Sequence, residues 1–267
     1  MIQIKEDNII KHFGVYFIVL YNGKEYYCKK ADRSLMFNEF IAEEIATQYG
    51  IDHAHYELGD YNGRKYIMSE SVYDPEKEEL LSLEDLYMNY NEDSLNLHLM
   101  DIWYFFSKYY PKYATNIMNK LVDLFLFDSL IGNSDRHYLN ITFIVDKSDG
   151  SIRVSPIFDN EMIGEKLAIN DGIYSLGVNS DSYKNEVNYL YDFLSSSNPF
   201  YTKYLVNKLG IISSNNLDSI FDNLSEKDIN VPDVTRIIIK SSMGTNRRMI
   251  KNVINNLTED KRLSLAM

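Results

Sequence analysis

Hydrophobic and polar positions alternate differently in the two parts of the chain. Near the start, Val15 to Leu20 is an apolar run, followed by Asn22-Gly23 and then Lys24 to Lys29. Asn-Gly tolerates positive φ at both positions, so this stretch is predicted to be a tight hairpin. A helix is predicted from about Phe37 to Tyr49, with Phe37, Ile41, Ala42 and Ile45 on one face and Gly50 at its C-cap. A second hairpin follows, His55 to Leu58 and Lys65 to Ser69, turned at Asn62-Gly63. After Asp74-Pro75 the period becomes helical. Leu95, Leu99, Ile102 and Phe106 make one stripe, broken by Pro111. Ile117, Leu121, Leu124 and Phe125 make the next, which ends near Gly132. A short β pair, Ile141 to Val145 and Ile152 to Ile157, turns at Asp149-Gly150. From about Tyr183 onward the pattern is helical, with polar loops at Ser195 to Pro199 and Ser213 to Asn216. The expectation is an α+β chain with a β-rich lobe, residues 1–73, and a larger helical lobe, residues 74–267. Small-ligand sites favour the crevice between two such lobes.

Composition narrows the function. The 267 residues are 45% hydrophobic and 25% charged, ordinary for a globular chain able to bury its own core. A net charge of −12 disfavours direct binding to nucleic-acid phosphates, which depends on Lys and Arg. A single cysteine, Cys28, excludes an intrachain disulfide and a multi-cysteine zinc site. His53-x-His55 is the one close histidine pair and reads as one face of a strand. The N-terminus has no apolar stretch of signal-peptide length, and no apolar run reaches membrane-span length. A cytoplasmic protein without membrane contact is expected.

The densest polar signal is Gly132-Asn-Ser-Asp135-Arg-His137-Tyr-Leu-Asn140, between a buried-looking helix and a strand. Asp135 and Asn140 stand five apart, the Asp-to-Asn spacing of a protein-kinase catalytic loop. Asp159 follows nineteen residues later, at the end of Ser155-Pro-Ile-Phe158. Oxygen ligands brought together there suit Mg²⁺. Taken singly, Asp-x₄-Asn is a loop-capping pattern and Asp159 a helix N-cap. The joint order is more specific: a strand lysine, a helix glutamate, Asp-x-His-x-x-Asn, then Asp after a strand.

Phe127 to Asn140 together with Pro156-Ile-Phe-Asp159 resembles the signature of HipA-like kinases, the group that includes CtkA-type kinases. Tyr27-Cys-Lys29, Asn38 to Ala46 and Tyr49-Gly50-Ile51 fit the same family, so the likeness covers roughly residues 14–165. The Asp-Arg-His plus Asn pattern is shared with phosphatidylinositol 3/4-kinase-like enzymes. The resemblance implies a two-lobed kinase-like fold that uses ATP and Mg²⁺. It implies that Asp135 positions the acceptor hydroxyl, that Asn140 and Asp159 hold Mg²⁺, and that His137 braces the loop or is a satisfied core histidine. Lys29 corresponds to the lysine on ATP phosphates, with Lys30 as the rival of opposite facing. Glu39 corresponds to its glutamate partner, with Glu43, one turn on, as the alternative. Glu70, Ser71 and Val72 fall where backbone groups would meet adenine.

The chain departs from the kinase pattern in three places. Gly14 is the one glycine before the first hairpin, so no Gly-rich loop is present. Asp159 is followed by Asn160 and Glu161 in place of Phe-Gly, and Glu161 adds negative charge near the metal position. Nothing ahead of Gly14 corresponds to the extra N-terminal domain of full-length HipA. The leading expectation is a Ser/Thr protein kinase with autophosphorylation, Ser175 lying in a flexible, glycine-flanked segment after Asp159. The alternatives are a catalytically silent kinase-fold module that binds nucleotide or a partner protein, and a lipid or small-molecule kinase. An antitoxin-like partner follows from family analogy alone. No helix-turn-helix is evident.

Overall fold

The computed structural model describes residues 1–14, 16–31, 36–90, 99–170, 173–176 and 217–264. The N-terminal part is a six-stranded sheet: β1 (Ile2–Gln3), β2 (Ile9–Phe13), β3 (Tyr16–Tyr21), β4 (Lys24–Lys30), β5 (Tyr56–Tyr61) and β6 (Arg64–Glu70). Their order across the sheet is β1-β5-β6-β4-β3-β2, with β1 parallel to β5 and the other pairs antiparallel. Both hairpins turn at Asn-Gly, with positive φ at Asn22, Gly23, Asn62 and Gly63. Pairing of β4 with β6 joins the two hairpins, Cys28 opposite Met68 and Lys29 opposite Ile67. Strand alternation then divides the residues. Tyr26 and Cys28 on β4, with Tyr66 and Met68 on β6, bury against Phe17, Val19 and Ile4. Tyr27 and Lys29 face the other way.

Helix α1 (Met36–Tyr49) follows β4 and ends at Gly50 with φ of +64°. Its apolar side, Phe40, Ile41, Ile45 and Tyr49, belongs to the main core together with Ile67 and the helical part of the chain. The sheet ends at Glu70. A second sheet joins β7 (Glu78–Ser82), β8 (Thr142–Asp146) and β9 (Ile152–Val154). Helices α2 (Leu83–Asn89), α3 (Leu99–Tyr109) and α4 (Ala114–Ile131) come between β7 and β8. β7 and α2 are additions to the sequence reading. The signal for α2 is Ser82-Leu-Glu-Asp85, a reciprocal cap in which Ser82 Oγ accepts from the Asp85 amide at 3.0 Å and the Ser82 amide donates to Asp85 at 2.9 Å. Nearly all of α4 is buried. It stops at Gly132, φ +68°, where a Cβ would run into the Glu165 carbonyl, so only glycine fits.

A small hairpin, β10 (Leu167–Asn170) and β11 (Ile173–Leu176), follows the second sheet. Ser175, expected in a flexible segment, lies in β11 with its backbone paired to Ala168. Local pairing overrides the flexibility that its neighbours suggest; Gly172 and Gly177 lie outside the described residues, as do Tyr183 and both predicted polar loops. Helices α5 (Leu217–Glu226) and α6 (Asp233–Ser264) close the chain, α5 against α1 and α6 against α4. Among the described residues no helix is long and apolar enough to cross a membrane. The architecture is mixed α+β, a curled N-terminal sheet followed by a helical C-terminal part.

Candidate active site

Between the six-stranded sheet and the segment around Asp159 is a cleft of about 340 Å³. Its walls are apolar: Tyr27, Tyr56, Ile67, Val72, Leu80 and Phe158. Its polar end holds Lys29, Glu39 and Asp159, and Glu70, Ser71 and Val72 run along its edge. Six of the residues singled out from the sequence therefore share one cavity. Lys29 faces the cleft, half-buried, while Lys30 is on the opposite face of β4 and exposed.

The partner of Lys29 differs from the expected one. Its Nζ lies 3.7 Å from Asp159 Oδ1 and is ion-paired with Glu161. Glu39 instead turns its carboxylate to the backbone of the segment after Asp159. Glu39 Oε2 accepts from the Asn160 amide at 2.9 Å and takes a further hydrogen bond from the Tyr56 hydroxyl. The same hydroxyl accepts from the Asp159 amide at 3.3 Å. Asn38 donates to the Glu161 carbonyl, so side chains of the first turn of α1 hold the main chain of residues 160 and 161. Burial pushes the Glu39 carboxyl up to about 7, the negative charge of Asp159 adding to the effect. Glu43, the alternative to Glu39, points elsewhere, to His55 at 3.1 Å.

Asp159 has φ of +58°, a left-handed conformation that Asp adopts more readily than most residues. Strain of this kind concentrates at functional positions. The carboxylate is left 41% exposed at the cleft floor. Ligand oxygens of Glu39, Asp159 and Glu161 lie within 4.8 Å of one another. An all-oxygen set of this kind fits Mg²⁺. Lys29 supplies the positive charge among them.

The 133–140 loop is built separately, around one buried side chain. Arg136, 1% exposed, grips Asp128 with two hydrogen bonds, Nε to Oδ2 at 2.8 Å and Nη2 to Oδ1 at 3.1 Å. Its remaining donors reach the Asn140 carbonyl at 3.2 Å, the Phe158 carbonyl at 3.0 Å and Asn160 Oδ1 at 2.8 Å. One guanidinium thus ties the loop to both sides of Asp159. Asn140 locks the loop from within. Its Oδ1 accepts from the His137 amide at 2.8 Å and its Nδ2 donates to the Asp135 carbonyl at 3.0 Å. Oδ1 keeps a second lone pair. Asn133 Oδ1 accepts from the Asp135 amide at 3.2 Å, and its Nδ2 donates to Asp128 at 3.0 Å. Asp135 and His137 are half-buried; Asp135 is outside the cleft lining, on this braced loop. Asp128, Asn133, Arg136 and Asn160 escaped the sequence reading, although Arg136 sat inside the motif.

The cleft edge is selective about its free groups. The Glu70 amide donates to the His55 carbonyl at 2.9 Å and the Ser71 amide to the Glu25 carbonyl at 2.8 Å. Glu70's carboxylate is held by Lys24 at 2.7 Å on the outer surface. Val72 lines the cleft beside them, with no hydrogen bond to another described residue.

A match to the HipA-like C-terminal domain runs over residues 9–228. The chain belongs to this family. The HipA-like chain is 24% identical over 206 residues to the serine/threonine-protein kinase CtkA of Helicobacter pylori, a match covering 70% of this chain and 63% of that protein. It therefore spans less than two thirds of that curated relative's length. The crystal structure of the H. pylori proinflammatory kinase CtkA superposes with a TM-score of 0.69 at 16% identity, covering 94% of this chain and 97% of the other. This likeness establishes the shared fold. The HipA of Shewanella oneidensis, solved with HipB and operator DNA, gives a TM-score of 0.46 at 16% identity over 95% of this chain and 59% of that one.

Proposed function

We propose that this HipA-like protein is an ATP- and Mg²⁺-dependent kinase that transfers the γ-phosphoryl group to Ser or Thr of a protein, itself included. The observation that carries the reading is the meeting of Lys29 and Asp159, 3.7 Å apart, at the polar end of an otherwise apolar cleft. An adenine ring suits the apolar walls, with the Val72 backbone at its edge. Lys29 would then contact the phosphates, leaving Glu161. Asp159 and Asn140 would hold Mg²⁺, which when bound offsets the phosphate charge. Asp135 accepts the proton of the acceptor hydroxyl as its oxygen attacks the γ-phosphorus and the bond to the β-phosphate oxygen breaks, releasing ADP. Arg136 keeps Asp135, Asn140 and Asp159 in fixed relation, which is the positioning that phosphoryl transfer needs.

One observation favours a second reading. Lys29 is ion-paired with Glu161, a residue that replaces a glycine of the common kinase pattern. A module that binds nucleotide without transferring phosphate would show the same pairing. Radiolabelled ATP and Mg²⁺, given to wild type and Asp135→Asn, separates the two. Label on the wild-type protein, with a matching gain of phosphate in intact mass and none in Asp135→Asn, supports the kinase. Tight ATP binding with no transfer under any condition supports the silent module. ATP consumption only with a lipid or small-molecule acceptor moves the substrate class. An antitoxin-like partner protein belongs to this reading through family kinship, and a small adjacent gene is its first check.

A further inference from the structure

One turn along α1 from Glu39, Glu43 converges with His53 and His55. Each offers a ligand atom, and these atoms lie within 4.8 Å of one another. The two histidines do not form a strand face, because β5 begins only at Tyr56. They sit in the connector from α1, with ring centroids 5.1 Å apart and planes nearly perpendicular. We propose that this cluster is a binding site for a borderline-soft divalent cation of the Zn²⁺ class, distinct from the cleft.

The second contacts of the donors fit that role. His53 Nδ1 lies 3.0 Å from the Ala54 carbonyl, which can only accept, so Nδ1 carries the hydrogen. In the neutral ring the lone pair is then on Nε2, which faces Thr47 at 2.9 Å. Thr47 Oγ also lies 2.9 Å from the Glu43 carbonyl and can give its hydrogen there. A ring nitrogen pinned to a carbonyl while the other ligates is the usual outer-shell arrangement at metal-bound histidine. His55 Nδ1 and Glu43 Oε1 are 3.1 Å apart. Around a tetrahedral ion with bonds of about 2.0–2.1 Å, neighbouring ligand atoms stand roughly 3.3 Å apart. The ion would replace the proton these two atoms share, with the His55 proton moving to Nε2 on its exposed ring. Glu44, the next residue, is engaged by Lys227 and by Asn223 at 3.1 Å, leaving Glu43 to the histidines. Lys227 acts on Glu43 only through its charge. Two imidazoles and one carboxylate favour Zn²⁺, Co²⁺ or Ni²⁺ over Mg²⁺. Three protein ligands leave a position for water.

The site would join two segments that bear on the cleft. Glu43 is one turn beyond Glu39 on α1. His53 pairs its backbone with Ile157, two residues before Asp159. Binding there staples α1 to the connector.

The test is Co²⁺ titration of the full chain in excess Mg²⁺, followed by visible absorption, with Zn²⁺ affinity measured by calorimetry. Intense four-coordinate bands, displaced by Zn²⁺, are expected in wild type. They should vanish in His53→Ala/His55→Ala, and each single change should weaken Zn²⁺ roughly tenfold or more. Because the His55 ring is 68% exposed, His55→Ala keeps the fold, and circular dichroism verifies it. Identical bands in the double variant, weak octahedral bands, or no Zn²⁺ uptake would each overturn the proposal. None of these readouts depends on kinase activity.

Discussion

The 133–140 loop and the polar end of the cleft lie on either side of Asp159, yet they are built on opposite principles. In the loop the hub, Arg136, is buried and bonded to Asp128, Asn140, Phe158 and Asn160, and Asn133 and Asn140 bond the Asp135 main chain. In the cleft Lys29 and Asp159 are each more than a third exposed and held by charge alone. A buried, satisfied network has one arrangement, because any other leaves an ionised group without partners. An exposed pair is worth little and exchanges partners readily. The loop is therefore prepared before any ligand arrives, whereas the proposed kinase reading has Lys29 trade Glu161 for a phosphate.

The largest effect should come from breaking the rigid side. Arg136→Met leaves Asp128 buried without its counter-charge, at a cost of about 3–5 kcal/mol. Thermal unfolding should fall by roughly 10 °C or more. Removing the acid too, in Asp128→Leu/Arg136→Met, should cost less than the sum of the single changes. Simple additivity would mean that the network is not a unit.

Next is the pH dependence of Glu39, which belongs to both regions. Its carboxyl, ordinarily near 4.5, is pushed up to about 7 by burial. Between those values the folded protein holds more proton than the unfolded chain, so stability falls as pH rises and levels off above about 7. The slope reaches at most roughly 1.4 kcal/mol per pH unit. Denaturant midpoints across pH 4 to 8 should show this decline in wild type and lose it in Glu39→Gln. A slope of equal size in the variant would assign it to another group.

Asp159 gives a smaller, sharper test. Asp159→Ala removes the carboxylate and also forces alanine into φ +58°, adding about 1 kcal/mol of backbone strain. Asp159→Asn keeps the left-handed preference. Both should abolish phosphoryl transfer, but only Asp159→Ala should lower the melting temperature. Equal melting temperatures would show that the conformation costs nothing.

The smallest stability effects belong to the lysines. Lys29→Ala and Lys30→Ala should each change stability by less than about 1 kcal/mol, yet only Lys29→Ala should weaken ATP binding. A crippled Lys30→Ala with a normal Lys29→Ala would reverse the assigned facing of β4.

Much of the scaffold was legible in the residue pattern. Asn-Gly turns, a glycine-terminated helix and apolar stripes are local signals, and both hairpins, α1 and α4 formed where those signals stand. Strand β7 escaped because Glu78–Ser82 has no alternation of its own and pairs with β8 some sixty residues later. The motif Asp135, Asn140 and Asp159 was visible because its spacing is linear.

What the sequence determined by itself, then, was the set of local elements and the order of the candidate chemical groups. Only the tertiary structure decided how those groups pair. Lys29 over Lys30 followed from β4 lying between β3 and β6, which buries Cys28 on one face and turns Lys29 to the cleft. Glu161 rather than Glu39 became the partner of Lys29 because the Asn160 amide and the Tyr56 hydroxyl had already claimed Glu39. Glu43 met two histidines because the connector folds back along α1. The pairing of Lys29 and of Glu39 is a competition among donors and acceptors distant in sequence. Burial settles it, since an unpaired polar group inside costs more than any local preference can repay.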